Sequence, residues 1–181
     1  ISTGASFLDA DLVIGGIGAN HGWTANHPRT IGDINGDGFI DIVSFGQPST
    51  RIYINDKAGG FAAPVTYDMM TAAHGSYFAT RHPRLAVDID GDGMDDLYTY
   101  ANAGTYVSMS IGDGVSGSLT QISSDYGYFD GYRLENDRRR LADVNADGLL
   151  DIVAFGPEST GVPGGVYYSL RPAHVLYACA K

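Results

Sequence analysis

The sequence lacks the features of several common protein classes. Only two of its 181 residues are Glu and two are Lys, so it is poor in residues that usually fill exposed helix faces. It has one cysteine, Cys179, which excludes an intrachain disulfide. Lys and Arg total 11 against 21 acidic residues, and we expect no nucleic-acid partner because phosphate binding needs a basic surface. The longest apolar stretch, 12–19, is rich in glycine and too short to cross a bilayer, so we expect no membrane insertion.

The residues that are abundant indicate an all-β protein. The chain contains 25 Gly and 12 Tyr, together with many Val, Ile and Thr, and this composition favours strands and tight turns. Since two of the 21 acidic residues are Glu, the other 19 are Asp, which favours turns and metal-binding loops. The sequence contains no Gly-x-Ser-x-Gly motif of a serine nucleophile, no HExxH zinc-protease motif and no phosphate-binding loop. We therefore predict that the protein is not an enzyme.

An acidic segment of nine residues occurs three times at a constant spacing. DINGDGFID occupies 33–41, DIDGDGMDD occupies 88–96 and DVNADGLLD occupies 143–151, so each copy lies 55 residues after the previous one. The flanking residues repeat in the same phase, with IDIVSFG, DDLYTYA and LDIVAFG overlapping the end of each segment. Equal offsets with matching flanks indicate a repeat architecture.

Short β-branched and aromatic runs between the acidic segments predict strands, because Asp and Gly bound them on both sides. Each unit contains about four such runs, the pattern of a four-stranded antiparallel β-propeller blade. We predict a single β-propeller region over 1–181, with repeats at approximately 16–70, 71–125 and 126–181, and with 1–15 as an outer strand of a neighbouring blade. A β-sandwich would explain the strands but not the strict repeat.

The acidic segments have the chemistry of cation-binding loops. Side-chain oxygens occupy positions 1, 3, 5 and 9, and Gly at position 6 permits a sharp turn; the carbonyl at position 7 would add one more oxygen. We predict about three calcium ions, bound by Asp33, Asn35, Asp37, Phe39 and Asp41, by Asp88, Asp90, Asp92, Met94 and Asp96, and by Asp143, Asn145, Asp147, Leu149 and Asp151. Metal-free Asp-Gly turns and a catalytic carboxylate pair are the alternatives that the sequence leaves open.

These residues carry a resemblance to known repeats. The acidic loop between two strands resembles the FG-GAP/VCBS repeats of integrin α-chain propellers. The longer stretches HGWTANHPRTIGDINGDGFIDIVSFG and SSDYGYFDGYRLENDRRRLADVNADGLLDIVAFG are similar to repeats of the Psathyrella velutina lectin-like family. The resemblance covers roughly residues 7–170, and it implies a calcium-containing propeller that binds N-acetylglucosamine or sialylated glycans in pockets between blades.

The same resemblance implies where sugars would bind. The aromatic residue and the His-Pro-Arg stretch of the family are both present in the first repeat, whereas Phe78 and Arg133 occupy the position of Trp23 in the other two. The candidate carbohydrate-binding residues are Trp23, His27, Tyr77, Phe78, His82 and Tyr132. A packing role for each of these side chains is the alternative.

The functional prediction is a calcium-stabilised lectin, extracellular or at the cell surface, whose partners are glycans or glycoproteins. An integrin-like adhesion propeller that binds protein, or the propeller part of a polysaccharide-degrading enzyme, is the alternative. Because propellers close with about 4–8 blades, three blades do not complete a ring. We therefore predict a homo-oligomer, or a ring that the remainder of a longer propeller chain completes.

Overall fold

The computed structural model describes residues 12–18, 21, 23–24, 27–46, 49–67, 81–133, 139–156 and 165–169. Over these ranges the chain forms eleven β-strands in three separate sheets and contains no α-helix. Within the same ranges, no helix is long and apolar enough to cross a membrane. The all-β architecture that the composition predicted is therefore confirmed.

Each sheet is an antiparallel meander in which every strand pairs with the next one along the chain. The first blade contains β1 (Arg29–Gly32), β2 (Asp41–Phe45), β3 (Thr50–Tyr53) and β4 (Val65–Tyr67). The second contains β5 (Arg84–Val87), β6 (Asp96–Ala101), β7 (Gly104–Ser108) and β8 (Thr120–Ser123). The third contains β9 (Arg139–Ala142), β10 (Asp151–Gly156) and β11 (Gly165–Ser169). The repeated sheet confirms the predicted propeller blades, and the described residues form no closed ring.

The blades stack face to face, and the second blade is covered on both faces. All six residues of β6 are buried, because alternate side chains of a strand point to opposite faces of its sheet. Leu97 and Ala101 pack against the first blade, with Val43 and Phe45. The two tyrosines of β6, Tyr98 and Tyr100, point to the opposite face. They form a second cluster with Ile152 and Ala154 of the third blade.

The inner strands of the first two blades approach each other closely. A Cβ atom added at Gly32 would lie 2.7 Å from the Cβ atom of Ala86 and 2.6 Å from Oδ2 of Asp95, so only glycine fits at this point. The three acidic loops connect β1 to β2, β5 to β6 and β9 to β10. Because all three follow an inner strand, they lie at the same end of their blades.

Two of the predicted outer strands fall mostly outside the described residues. Residues 12–15 form no strand, and 1–11 are not described, so the assignment of 1–15 to a neighbouring blade stays a prediction. The predicted fourth strand of the third blade, near Cys179, is also outside the described part of the chain.

Candidate functional site

Left-handed backbone at two positions bends each acidic loop into its turn. Positions 4 and 6 have positive φ in every copy, with values of 71° at Gly36, 83° at Gly38, 80° at Gly91, 89° at Gly93, 61° at Ala146 and 86° at Gly148. Glycine takes this conformation without a steric penalty, whereas a Cβ atom crowds the neighbouring carbonyl. The third loop therefore carries local strain at its one alanine.

Ala146→Gly is expected to stabilise the protein by about 1 kcal/mol, because it removes the cost of a left-handed alanine. The reverse change Gly91→Ala, at the matching position of the second loop, is expected to destabilise it by a similar amount. A Cβ atom at Gly91 would meet no other atom within 4 Å, so backbone strain alone is measured there. Urea unfolding of both variants is the measurement, and equal stability of Ala146→Gly and wild type would contradict the strain.

The carboxylate at position 1 closes each loop upon itself. The two oxygens of Asp33 accept hydrogen bonds from the backbone N–H groups of Asp37 at 3.0 Å and Gly38 at 2.7 Å. Asp88 and Asp143 accept the equivalent pairs of bonds in their own loops. These contacts hold the position-1 carboxylate against the backbone of its own turn.

The carboxylate at position 9 has a second role that its place in the loop does not reveal. Asp41, Asp96 and Asp151 are 0–1% exposed. Asp96 accepts hydrogen bonds from Ile89 N–H at 3.1 Å and from Ser110 N–H at 2.7 Å. Asp41 bridges the first loop to Asn55 N–H in the same way. In the first two blades, the position-9 carboxylate therefore ties its loop to the segment after the third strand.

The loops fit a hard cation. Oxygen atoms of Asp88, Asp90 and Asp96 all lie within 4.8 Å of one another. Carboxylate, amide and carbonyl oxygens are the donors that calcium prefers, and the predicted ligands of the three loops are all oxygens of these kinds. Burial, helped by the charges of Asp90 and Asp92, raises the pKa of Asp96 to about 7 despite two backbone hydrogen bonds that lower it. A bound cation would offset that repulsion.

Lys57 places a positive charge at the first loop. Its Nζ atom lies 3.1 Å from Oδ2 of Asp37, and it also lies 5.5 Å from the centre of the Phe39 ring. Asn55 and Ser110 are equivalent, because the N–H group of each donates to the position-9 carboxylate of its blade. The residue that corresponds to Lys57, two positions later in the second blade, is therefore Gly112. Among the described residues, the ammonium group thus neutralises part of the first loop and has no counterpart at the second, so these two loops differ in charge.

One acidic residue outside the predicted ligands joins two blades. Asp95 accepts a hydrogen bond from Asp33 N–H at 2.8 Å, and its own N–H donates to the carbonyl of Asp33 at 2.7 Å. Ser110 of the second blade donates to the carbonyl of Ile34. The first loop is therefore held by the second blade at its first two residues. Sequence reasoning did not single out Asp95, which stands where Ile40 and Leu150 occur in the other loops.

Among the sugar-binding candidates of the first repeat, Trp23 is buried and His27 is half-buried. Trp23 is 8% exposed, and the guanidinium groups of Arg29 and Arg51 lie 5.9 Å and 5.5 Å from the centre of its ring. His27 Nδ1 accepts a hydrogen bond from Thr24 N–H at 3.1 Å, which leaves the proton of the neutral ring on Nε2. The described residues therefore show Trp23 in a packing position.

The candidates of the later repeats are also buried where they are described. His82 is 1% exposed, its Nε2 atom lies 2.9 Å from Oδ1 of Asn102, and burial lowers its pKa. Tyr132 is 6% exposed, and burial raises its pKa to about 12. Tyr77 and Phe78 lie outside the described residues. A sugar-binding role of all six candidates stays a prediction.

An exposed aromatic site lies over His82, at the junction of the second and third blades. The Tyr128 ring lies 6.4 Å from that of His82, and the guanidinium carbons of Arg81 and Arg133 lie 4.7 Å and 3.7 Å from its centre. The adjacent Phe129 is 74% exposed. Backbone hydrogen bonds from Tyr128 and Phe129 to the carbonyls of residues 101 and 102 anchor this turn on the second blade. We call Arg81, Asn102, Tyr128, Phe129 and Arg133 the junction site.

The junction site and the acidic loops lie at opposite ends of the blades. The site borders the start of β5 and the end of β6, whereas the second acidic loop connects the end of β5 to the start of β6.

Of the junction residues, Tyr128 belongs to a run of tyrosines that the sequence shows, but neither Phe129 nor Asn102 has a matching signal in the other repeats. Only the packing of two blades brings these residues together.

Fold and loops define a β-propeller built from repeats with acidic loops, and comparisons with known proteins agree. The family model described as FG-GAP-like repeat matches residues 33–99. Among solved structures, the chain is similar to an Agrocybe aegerita lectin described as specifically recognising non-reducing terminal N-acetylglucosamine, with a TM-score of 0.74 and 28% identity. The match covers 87% of this chain and 42% of the lectin chain, so this chain spans less than half of that length. The comparison with curated proteins gives no match.

Proposed function

We propose that the protein is a lectin that binds terminal sugars, such as N-acetylglucosamine or sialylated glycans, between its blades. The observation that carries this proposal is the similarity to the Agrocybe aegerita lectin over 87% of the chain. Identity of 28% supports a shared kind of ligand, and the particular sugar is part of the proposal. The protein acts by binding, without breaking a bond, and it works outside the cell or at the cell surface.

The junction site has the composition that sugar recognition needs. A flat ring with an open face packs against the C–H face of a pyranose, while neighbouring polar groups bond to its hydroxyls. Phe129 supplies an exposed ring, and its N–H donates to the carbonyl of Asn102, whose side-chain oxygen lies 2.9 Å from Nε2 of His82. The guanidinium groups of Arg81 and Arg133 add positive charge in a chain of net charge -10, which suits the carboxylate of a sialylated glycan.

Calcium has a structural role in this proposal. The residues that would hold the ions are those predicted from the sequence, with Phe39, Met94 and Leu149 offering backbone carbonyls. The FG-GAP-like match begins at the first ligand of the first loop and spans the second loop, which supports two of the three sites. Since the loops and the junction site lie at opposite ends of the blades, calcium acts by rigidifying the blades and does not touch the sugar.

Phe129→Ala is expected to weaken the binding of an N-acetylglucosamine trimer about tenfold, which corresponds to ~1.4 kcal/mol. Isothermal titration calorimetry in calcium buffer is the measurement. Ile111→Ala is the control, because the Ile111 side chain is 56% exposed at the other end of the blade and is not among the predicted calcium ligands. Its affinity is expected to equal that of wild type.

A second variant tests charge selectivity at the same site. Arg81→Ala is expected to reduce binding of a sialylated trisaccharide and to leave the neutral trimer unaffected. Unchanged affinity of Phe129→Ala for every glycan that wild type binds would remove the junction site from the proposal. Absence of binding by folded wild type to any glycan on an array would overturn the lectin proposal itself.

A further inference from the structure

The turns of the first and second acidic loops are in direct contact. A Cβ atom added at Gly36, in the turn of the first loop, would lie 2.8 Å from Cγ of Met94 in the second loop. A Cβ atom at Gly91, the matching position of the second loop, would meet no atom of the described residues within 4 Å. In the described part of the chain, this turn contact therefore joins the first pair of loops and not the second pair.

Asp95 adds a side-chain hydrogen bond that the sequence allows at one of the two junctions. Asp33 N–H donates to Oδ2 of Asp95 at 2.8 Å, whereas Leu150, which has no acceptor, occupies the position of Asp95 in the third loop. Asp95 fits against the first blade because a Cβ atom at Gly32 would lie 2.6 Å from its Oδ2 atom. The second blade has Val87 at the position of Gly32, so the third loop meets a different surface.

The backbone forms a first route between the predicted ligands of the two loops. Asp95 N–H donates to the carbonyl of Asp33 at 2.7 Å, and it belongs to the same peptide group as the Met94 carbonyl, a predicted ligand. Because a trans peptide group is planar, the bond to Asp33 fixes the direction of the Met94 carbonyl. The peptide group of the Asp33 carbonyl also contains the N–H of Ile34, which donates to the Asp41 carboxylate at 2.9 Å. Two peptide groups thus link position 7 of the second loop to position 9 of the first.

Ser110 forms a second route between the same loops. Its N–H donates to Oδ1 of Asp96, the position-9 carboxylate of the second loop, at 2.7 Å, and its hydroxyl donates to the carbonyl of Ile34. Ser110 is 5% exposed and Ile34 is fully buried, so these bonds are shielded from water. Since Ile34 N–H donates to Asp41, this route also ends at position 9 of the first loop.

We propose that the first and second loops bind calcium cooperatively, and that Asp95 and Ser110 are the positioning residues that couple them. This inference rests on the calcium binding of the proposed function. Filling either loop orders its own ligands, and the two routes then hold the ligands of the neighbouring loop in place. The ordering that the second binding event requires is therefore partly complete, which raises its affinity. The third loop, which has Leu150 in place of Asp95, does not share this coupling.

A calcium titration followed by nuclear magnetic resonance resolves the three loops. Each loop has one glycine at position 6 whose N–H donates to the position-1 carboxylate and so reports the filling of that loop: Gly38, Gly93 and Gly148. Asp92→Ala removes a predicted ligand of the second loop, and we expect it to weaken calcium binding at the first loop about tenfold, a typical coupling between two sites. Asp37→Ala is expected to weaken the second loop by the same factor, because coupling is reciprocal.

The third loop supplies the matched control. Asp147→Ala makes the same change at position 5 of the third loop that Asp92→Ala makes in the second. The second and third loops also belong to neighbouring blades, but Leu150 cannot accept the side-chain hydrogen bond. We therefore expect Asp147→Ala to leave the calcium affinity of the second loop unchanged.

Variants of the two positioning residues test the routes. In a protein that carries both Asp95→Ala and Ser110→Ala, the added change Asp92→Ala is expected to alter first-loop affinity less than about twofold, as for independent sites. Ser110→Ala alone removes one route but keeps the N–H bond to Asp96, so we expect an intermediate effect. Asp95→Asn removes the charge but keeps an oxygen that accepts from Asp33 N–H, and it is expected to preserve the full coupling.

Amide hydrogen exchange measures the ordering itself. In Asp37→Ala, whose first loop lacks a predicted ligand, calcium at the second loop is still expected to slow the exchange of Ile34 N–H severalfold. In the same protein with Asp95→Ala and Ser110→Ala, calcium is expected to leave this exchange rate unchanged. A role of Asp95 and Ser110 in stability alone would not make the exchange of Ile34 depend on calcium in the other loop.

First-loop affinity that is equal or higher in Asp92→Ala than in wild type would overturn the coupling. An Asp92→Ala effect that persists undiminished without the side chains of Asp95 and Ser110 would overturn their assigned role. Position-6 signals that do not move with calcium in the folded wild-type protein would overturn calcium binding itself, and the coupling with it. Sugar titration measures the lectin proposal separately, so independent loops in a sugar-binding protein would overturn the coupling alone.

Discussion

Removal of calcium with EDTA is expected to lower the melting temperature of the protein by roughly 5–10 °C for each loop that loses its ion. An ion present at 100 times its dissociation constant stabilises the folded state by about 2.7 kcal/mol. In a domain of this size, 1 kcal/mol shifts the melting temperature by about 2–4 °C. The physical cause is the repulsion among the clustered carboxylates of each loop, which the cation offsets. Differential scanning calorimetry of protein treated with EDTA, and then of the same protein with calcium restored, gives the measurement.

Magnesium provides the control for this experiment. It prefers near-ideal octahedral geometry and keeps several of its waters, so it suits a loop of many protein oxygens less well than calcium. We expect magnesium to restore a smaller part of the lost melting temperature. A melting temperature that is the same in metal-free and calcium-loaded protein would contradict calcium binding by the loops.

Asp96→Ala is expected to destabilise the protein by about 2–5 kcal/mol even when no metal is present. The change leaves the buried N–H groups of Ile89 and Ser110 without their acceptor, and each such loss costs about 1–3 kcal/mol. Urea unfolding in EDTA is the measurement, because it isolates the anchoring role of this carboxylate from metal binding.

Asp92→Ala is the matched control within the same loop. Asp92 is exposed, and the hydrogen bond that its carboxylate accepts comes from Met94 N–H, two residues away in the loop itself. We expect this variant to lose stability in calcium but to equal wild type in EDTA. If both variants were equally stable in EDTA, Asp96 would be a ligand without the anchoring role.

Much of the fold was predictable because it rests on local patterns. The spacing of 55 residues showed the repeat, and short β-branched and aromatic runs bounded by Asp and Gly located β1, β2, β5, β6, β9 and β10 within a few residues. Asp33, Asp88 and Asp143 end the inner strands because the loops begin there with left-handed turns at positions 4 and 6. These features depend on neighbouring residues and on chain geometry, so one sequence is enough to place them.

The junction site was not predictable in the same way. Tyr128 and Arg81 are 47 residues apart in the sequence, and they meet because the turn after β8 folds back onto the end of the second blade. Asp95 joins a residue in another blade, and the pattern of the loop gives it no special position. The burial of Trp23 and Tyr132 also depends on how one blade covers the next. Sequence reasoning identified the aromatic segment before each loop but not which of its rings is exposed.

The sequence by itself determined the all-β class, the threefold repeat and the oxygen-rich loops, because turn chemistry, strand alternation and ligand type are properties of adjacent residues. Only the tertiary structure decided that Asp41 and Asp96 anchor their loops, that Phe129 is exposed while His82 is not, and that Phe155 and Ile31 are partly exposed. Burial decides each of these, and the burial of a side chain depends on residues that are distant in the sequence and near in space.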